Sequence, residues 1–227
     1  WKLLEDDGVF IFEVSYLVDV FEHTLFDTIY HEHLAYHSVG PLMPFMQAHN
    51  MELIGATRVS SHGGSLRVVA QRAGGARAVS SSVSELIKLE KKMGLNRAKT
   101  YRDFGGRIEV LKVELADLLR RKKAEGRTIA AFGAPAKATT LMYHFCIGED
   151  IIDFIVDDSP LKQGLYSPGM HIPVVPSKAI YDKKPDDIVI LAWNFAVPIM
   201  KKHKAFQESG GTFIIPLPNV EIQWTKV

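Results

Sequence analysis

The chain has 227 residues, of which 47% are hydrophobic and 23% charged, a composition typical of soluble globular proteins. The 27 Lys and Arg nearly balance the 26 Asp and Glu, and no basic face of the kind that nucleic-acid binding needs is visible. The single cysteine, Cys146, excludes an intrachain disulfide and a multi-cysteine zinc site. No apolar run approaches the roughly 20 residues of a membrane span, and no signal peptide opens the chain. We therefore expect a cytoplasmic protein with no nucleic-acid partner, no membrane partner and no metal of its own.

The first third of the chain combines predicted strands with one loop rich in polar residues. The apolar run Val9–Val14 predicts a central strand buried on both faces of a parallel sheet. A loop or short helix over 15–36 follows it, and then a helix over 40–50. Two strand-like runs, 51–59 and 65–71, are joined through a glycine-rich tip, which predicts a β-hairpin.

The rest of the chain changes from helices to an alternation of strands and helices. After a linker over 73–81, two helices are predicted over 82–93 and 101–125. The elements that follow are a strand at 129–132, a helix at 137–145, strands at 151–156 and 188–192, a helix at 197–209 and a strand at 212–215. This alternation predicts an α/β fold with a doubly wound parallel sheet.

Tyr30-His31-Glu32-His33 holds more proton-transfer groups than any other stretch. An imidazole with an unperturbed pKa of about 6.5 takes and returns protons near neutrality, and Tyr and Glu can orient it or stabilise an enolate. Ligand sites of open α/β sheets lie beyond the carboxyl ends of strands, and this cluster follows the first predicted strand. A zinc hydrolase is disfavoured because the spacing is not His-Glu-x-x-His. An ordinary polar surface loop is the alternative for these four residues.

Polar residues also follow three strands of the second half. The turn Gly133–Thr140 leads from a strand into a helix, where free backbone N–H groups and the helix dipole predict a phosphate cradle. An acid follows the next strand, the place where nucleotide-binding folds set a carboxylate against ribose hydroxyls. The predicted nucleotide contacts are Lys137, Thr139, Asp158, Lys162 and Asn194. The alternative for the turn at Gly133 is one that binds nothing, for Asp158 and Lys162 it is a solvent-exposed turn, and for Trp193 beside Asn194 it is simple packing.

Six motifs, in order, make the chain resemble the C-terminal portion of the S-adenosylmethionine-dependent sugar C-methyltransferases. Enzymes of that family methylate C3 of a nucleotide-linked 4-keto-deoxysugar. The motifs are Tyr30-His31-Glu32-His33, His62-Gly63-Gly64-Ser65-Leu66-Arg67, Gly133 through Thr140, Asp157 through Gly164, Pro168-Gly169-x-x-Ile172-Pro173-Val174, and Ala192-Trp193-Asn194. The resemblance covers nearly the whole chain and is specific to the family, not to one sugar.

The resemblance implies a three-part protein with an N-terminal zinc-binding region, a central class I methyltransferase domain and a C-terminal Rossmann-like domain. Residues 1–75 then correspond to the C-terminal part of the methyltransferase domain. Residues 76–227 correspond to the C-terminal domain, with helices over 82–125 and a Rossmann-like sheet over 128–227. Because no cysteine cluster and no glycine-rich loop precede Val9, we expect a fragment that lacks the zinc region and most of the S-adenosylmethionine site.

The family pattern also implies roles for the acid-base cluster. His33 is the base that removes the C3 proton, and Tyr30 and Glu32 hydrogen-bond the sugar or the developing enolate. The expected partner is a nucleotide-diphosphate keto-deoxysugar. Two other functions stay open: a non-catalytic module for nucleotide binding or assembly, and an NAD-dependent oxidoreductase, against which the imperfect glycine pattern argues. The sugar, the nucleotide and the oligomeric state are not predicted.

Overall fold

The computed structural model describes residues 3–224, and its contacts divide the chain into two units. Unit 1 comprises Trp1–Leu25 and Glu32–Gly106, and unit 2 comprises Phe26–His31 and Arg107–Val227. A short piece of the N-terminal sequence therefore belongs to the C-terminal unit. The division at residue 106 differs from the predicted boundary at residue 75, which concerns family domains and stays a prediction.

Unit 1 is built on a three-stranded antiparallel sheet with the strand order β1-β3-β2. The strands are β1 (Val9–Ser15), β2 (Met51–Val59) and β3 (Ser65–Arg72), and the helices are α1 (Leu17–His23), α2 (Val39–Ala48) and α3 (Ser81–Met93). The predicted β-hairpin is confirmed as β2 and β3, with a 3-10 turn at Ser61–Gly63 between them.

The prediction that the first strand is central in a parallel sheet is wrong. Among the described residues, β1 pairs with β3 alone, in antiparallel register from Val9 opposite Gln71 to Ser15 opposite Ser65. Phe10 is 45% exposed and Ile11 is 58% exposed. Aromatic and β-branched residues favour any pleated strand, so the apolar run predicted a strand correctly but not its position in the sheet.

Glu90 of α3 fixes the chain where α2 begins. Its buried carboxylate accepts hydrogen bonds from the backbone N–H groups of Val39 at 2.6 Å and Gly40 at 2.9 Å, two groups that have no partner within the helix. It also accepts a hydrogen bond from the Tyr16 hydroxyl at 3.0 Å. Burial and the nearby carboxylate of Glu90 raise the pKa of Tyr16. The backbone on either side of Tyr16 pairs with His37, so the C-terminal end of the segment 32–38 is held within unit 1.

Unit 2 carries a six-stranded sheet with the order β6-β5-β4-β7-β8-β9, in which β9 alone of these six strands is antiparallel to its neighbour. The strands are β4 (Ile129–Phe132), β5 (Phe154–Val156), β6 (Val174–Val175), β7 (Asp187–Ile190), β8 (Thr212–Ile215) and β9 (Glu221–Gln223). The helices are α4 (Ala98–Ala124), whose sequence begins in unit 1, then α5 (Ala136–Phe145), α6 (Ala179–Lys183), α7 (Ala196–Lys202) and α8 (Lys204–Glu208). The predicted α/β, Rossmann-like sheet is confirmed.

Several details of unit 2 differ from the sequence-based expectations. The helix predicted over 197–209 is two helices, α7 and α8, because His203 leaves helical geometry at φ −108° and ψ 32°. The strand predicted over 151–156 is shorter, since Ile151 and Ile152 are buried in a turn. Strands β6 and β9 and helix α6 were not predicted, and each has five residues or fewer.

Candidate active site

A cavity of about 560 Å³ lies in unit 1 where β1 ends. It is lined by Glu13, Val14, Ser15, Glu32, His33, Leu34, Ala35, His37 and Ser65. Two of the three predicted catalytic residues, Glu32 and His33, are therefore brought to one cavity. Its volume falls within the range of roughly 300 to 1,000 Å³ that small-molecule sites occupy.

Ser15 orients the imidazole of His33. The hydroxyl oxygen of Ser15 lies 3.1 Å from Nδ1 of His33, and the Tyr36 ring lies nearly parallel to the imidazole with a centroid distance of 6.4 Å. This contact restricts the orientation of the ring, and Nε2 can accept a proton in the tautomer in which Nδ1–H donates to the Ser15 oxygen. Sequence reasoning missed Ser15 because the predicted strand ended at Val14 and Ser15 belongs to none of the motifs.

The charge of Glu13, another cavity residue, is balanced by Arg67, the last residue of the motif His62-Gly63-Gly64-Ser65-Leu66-Arg67. Arg67 donates from Nε at 3.2 Å and from Nη2 at 3.0 Å to Glu13, and the Ser61 hydroxyl donates to the same carboxylate at 2.5 Å. The side chain of His62, from the same motif, lies outside the described residues. The ion pair is largely exposed, so it shapes the charge of the cavity rim more than it stabilises the fold.

Tyr30, the third predicted catalytic residue, belongs to unit 2 together with His31. Its backbone N–H donates to the carbonyl oxygen of Thr28 at 3.0 Å, and its ring lies 5.7 Å from the His31 ring. Tyr30 is half-buried and His31 is exposed. The catalytic roles given to His33, Tyr30 and Glu32 stay predictions.

In unit 2, the polar residues after β4 and β5 meet at the edge of the sheet that is formed by the carboxyl ends of its parallel strands. Asp157 accepts hydrogen bonds from the backbone N–H groups of Ala134 at 2.7 Å and Ser159 at 2.8 Å, and Nζ of Lys162 lies 3.4 Å from it. The turns that were predicted to share this edge are thus neighbours. One N–H group of the predicted phosphate cradle is already used by Asp157.

The Gly133 turn is closely packed. Gly133 has φ +92°, and a Cβ placed there would lie 2.6 Å from the Cβ of Ala192, the residue two beyond the end of β7. The cavity beside Thr139 has a volume of about 20 Å³, room for about one water molecule. The phosphate cradle is therefore not an open pocket in this structure, and the predicted contact at Thr139 stays a prediction.

The other predicted nucleotide contacts lie within unit 2 as well. Asp158 accepts hydrogen bonds from Lys202 at 2.6 Å and from the Ser177 hydroxyl. Burial alone raises the pKa of Asp158, but these hydrogen bonds outweigh it and hold the pKa below its usual value. Asn194 is exposed in a 3-10 turn after β7. The ammonium of Lys137 is engaged with the carboxylate of Asp27, 3.5 Å away.

One group of potential metal ligands lies in unit 1, where ligand atoms of Asp19, Glu22 and His23 lie within 4.8 Å of one another. The guanidinium of Arg58 contacts both carboxylates, so one of their two negative charges is already compensated. This arrangement is an ion-pair network rather than a cation site.

None of the helices within residues 3–224 has both the length and the apolar character of a membrane span.

The six-stranded, mostly parallel sheet flanked by helices defines unit 2 as a Rossmann-like α/β protein. Residues 60–218 match the protein family described as the C-methyltransferase C-terminal domain. The chain is also 36% identical over 220 residues to the C-methyltransferase NovU of Streptomyces niveus, covering 97% of this chain and 52% of that protein. The chain belongs to the C-methyltransferase family, of which it matches the C-terminal portion. It spans about half the length of the curated relative.

Proposed function

We propose that the chain is the C-terminal portion of an enzyme that methylates the carbon next to the keto group of a nucleotide-diphosphate-linked deoxysugar. The observation that carries the proposal is the pairing of Ser15 with His33 in the cavity of unit 1, in a chain of the C-methyltransferase family. Carbon methylation beside a ketone starts with loss of a proton, and an oriented imidazole is the side chain best suited to take it near neutral pH.

In the proposal, four residues divide the work of proton removal. His33 takes the C3 proton, which the neighbouring 4-keto group acidifies, while Ser15 holds the imidazole through Nδ1. The carbonyl oxygen gains negative charge as the enolate forms, and hydrogen bonds aimed at that oxygen stabilise it. Tyr30 and Glu32 hydrogen-bond the sugar or this developing oxyanion in the proposal.

S-adenosylmethionine supplies the electrophilic methyl group when it is bound to the whole enzyme. The glycine turn at Gly133 leads to a cavity of about 20 Å³, which is too small for this donor. In the proposal the zinc of the whole enzyme lies outside this chain, which has one cysteine.

The nucleotide end of the substrate is assigned to the sheet edge of unit 2. Support comes from position, because the turns after β4, β5 and β7 meet at the carboxyl ends of parallel strands, where α/β proteins bind nucleotides. The proposed contacts are Thr139, Asp158, Lys162 and Asn194. The proposed enzyme is cytoplasmic and has neither a nucleic-acid nor a membrane partner.

Methyl transfer by the full-length enzyme tests this proposal. The enzyme is incubated with a thymidine-diphosphate 4-keto-deoxysugar and with S-adenosylmethionine labelled with ¹³C in the methyl group, and the product is examined by NMR. We expect a ¹³C methyl group on C3. A label on oxygen, or no transfer to any 4-keto sugar nucleotide, contradicts the proposal.

A second function is that of a non-catalytic module. It is favoured because polar groups at the sheet edge of unit 2 already bond to one another. Asp157 occupies a backbone donor of the phosphate cradle, and Lys137 is paired with Asp27. Calorimetric titration of this chain with the sugar nucleotide and, separately, with S-adenosylhomocysteine separates the two functions. Binding of the sugar nucleotide without S-adenosylhomocysteine supports the methyltransferase portion, and binding of neither supports an assembly role.

A further inference from the structure

The segment Phe26–His31 is fastened to unit 2 by a buried ion pair. Asp27 is fully buried, and its Oδ2 accepts a hydrogen bond of 2.6 Å from the indole N–H of Trp193. Nζ of Lys137 lies 3.5 Å from the same oxygen and 3.9 Å from the centroid of the Trp193 ring, within the range of a cation–π contact. We call Asp27, Lys137 and Trp193 the anchor cluster.

Each charge of the anchor cluster depends on the other. Burial raises the pKa of Asp27, an effect that Lys137 and Trp193 oppose, and burial lowers the pKa of Lys137, which Asp27 opposes. Removing one partner therefore leaves a buried charge without compensation, which is far more costly than losing an exposed ion pair.

Two further contacts hold the same segment to α5. The ring of Phe26 stacks on Phe145 at a centroid distance of 5.1 Å and an angle of 23°. The Thr140 hydroxyl donates a hydrogen bond of 3.1 Å to the carbonyl oxygen of Ile29. The residues just before Tyr30 are thus held at three points, by α5 and by the turn after β7.

The composition of the anchor cluster is not what stability alone would select. Apolar residues of similar volume often stabilise a protein as well as a buried ion pair does, whereas charged pairs define one specific geometry. The second carboxylate oxygen of Asp27, Oδ1, is buried without a hydrogen-bond partner among the described residues. Such an unsatisfied group carries a free-energy cost that calls for a reason.

We propose that Asp27, Lys137 and Trp193 are positioning residues that fix the backbone leading to Tyr30, the first residue of the acid-base motif. Lys137 then serves the ion pair rather than the phosphate of the substrate. The effect on the reaction rests on the proposed function. The fastening of the segment does not, because it is a property of unit 2 alone.

Hydrogen exchange measures the fastening directly in this chain. The amide N–H groups of Ile29 and Tyr30 donate to the carbonyl oxygens of Phe26 and Thr28 at 3.0 Å, so their exchange reports on local opening of the segment. We expect Asp27→Asn and Lys137→Met to accelerate it by roughly tenfold or more, since each leaves one buried partner unpaired. The double variant accelerates it by less than the product of the two single effects.

Two further variants make this test independent of general unfolding. Trp193→Phe keeps the ring over Lys137 but removes the N–H donor, and we expect a smaller acceleration at the same amides. Lys123→Met breaks an exposed ion pair of unit 2, with Asp153 at 2.9 Å, and leaves their exchange unchanged. Either of two results overturns the proposal. One is unchanged exchange at Ile29 and Tyr30 in folded Asp27→Asn. The other is an equal acceleration of all amides of unit 2 in all three anchor variants.

The kinetics of the full-length enzyme separate positioning from phosphate binding. A misplaced group lowers kcat, whereas a lost ground-state contact raises KM. We expect Asp27→Asn and Lys137→Met to lower kcat by roughly ten- to a hundredfold, with the KM for the sugar nucleotide changed by less than about threefold. The proposal is overturned if KM rises in Lys137→Met while KM falls and kcat stays unchanged in Asp27→Asn. That result identifies Lys137 as a phosphate contact. If the wild-type enzyme transfers no methyl group, the proposed function fails, and the exchange data still test the anchor.

Discussion

The hydroxyl oxygen of Ser15 lies 3.1 Å from Nδ1 of His33, which links the last residue of an antiparallel edge strand to the proposed base. Both residues belong to unit 1 and line the same cavity. The strand holds Ser15 by pairing with Ser65 of β3, so a residue of a paired strand contacts the imidazole of the proposed base.

Replacing Ser15 tests this orientation. Ser15→Ala removes the hydrogen bond to Nδ1, and we expect the rate of C3 proton loss to fall by about tenfold because general-base catalysis depends on geometry. Ser15→Thr keeps the hydroxyl and restores most of the rate. The rate is measured as the appearance of deuterium at C3 in deuterated water. Equal rates in wild-type enzyme and Ser15→Ala contradict the role of Ser15.

Glu90 is expected to be the most sensitive residue of α3. Glu90→Ala leaves the buried N–H groups of Val39 and Gly40 and the Tyr16 hydroxyl without their acceptor, so the free energy of unfolding falls by about 3 kcal/mol. Glu85, exposed on the same helix, is the matched control, and Glu85→Ala changes it by less than about 0.5 kcal/mol. Urea unfolding measures both, and similar losses in the two variants refute the capping role of Glu90.

Alanine substitutions at Gly133 and Gly126 distinguish the cost of a steric clash from the cost of a positive φ. Both have positive φ, but a Cβ at Gly133 meets Ala192 at 2.6 Å, whereas a Cβ at Gly126 meets no atom within 4 Å. We expect Gly133→Ala to lower the free energy of unfolding by about 3 kcal/mol and Gly126→Ala by about 1 kcal/mol. Adding Ala192→Gly to Gly133→Ala recovers part of the loss, and equal effects of the two alanine variants contradict the close approach at Gly133.

How far the sequence predicts this structure depends on the range of the interactions involved. The hairpin, the long helix α4 and the alternating elements of unit 2 follow from local periodicity and turn residues. The edge position of β1 and the break at His203 depend on which distant residues pack against them, and periodicity carries no such information. The motif located Glu32 and His33 at a cavity, whereas Ser15 and Asp27 gained partners only through the fold, at separations of 18 and 166 residues.

His203 is expected to make unit 2 less stable in acid. Burial, followed by the charge of Lys202, lowers the pKa of His203, with Asp158 opposing. The unfolded chain therefore binds the proton more tightly than the folded chain does. The contribution of neutral His203 to the free energy of unfolding is complete above the unfolded pKa of about 6.5. This contribution is lost as the pH falls towards the lower folded pKa, by at most about 1.4 kcal/mol per pH unit. His203→Gln retains a polar partner for the Tyr181 hydroxyl, which lies 3.1 Å from Nδ1, and does not titrate. Urea unfolding at pH 7.5 and pH 5.5 should show a smaller loss of stability in this variant, and an identical loss in both proteins contradicts the assignment.

Deuterium exchange without the methyl donor shows whether His33 removes the C3 proton. The full-length enzyme, its His33→Ala variant and its His49→Ala variant are incubated with the 4-keto sugar nucleotide in deuterated water, and NMR follows the C3 proton. His49 is exposed beyond α2 and does not line the cavity. We expect exchange by wild-type enzyme and His49→Ala, and a loss of about a hundredfold or more in His33→Ala with binding of the sugar nucleotide retained. Exchange at the wild-type rate in His33→Ala would rule out His33 as the base.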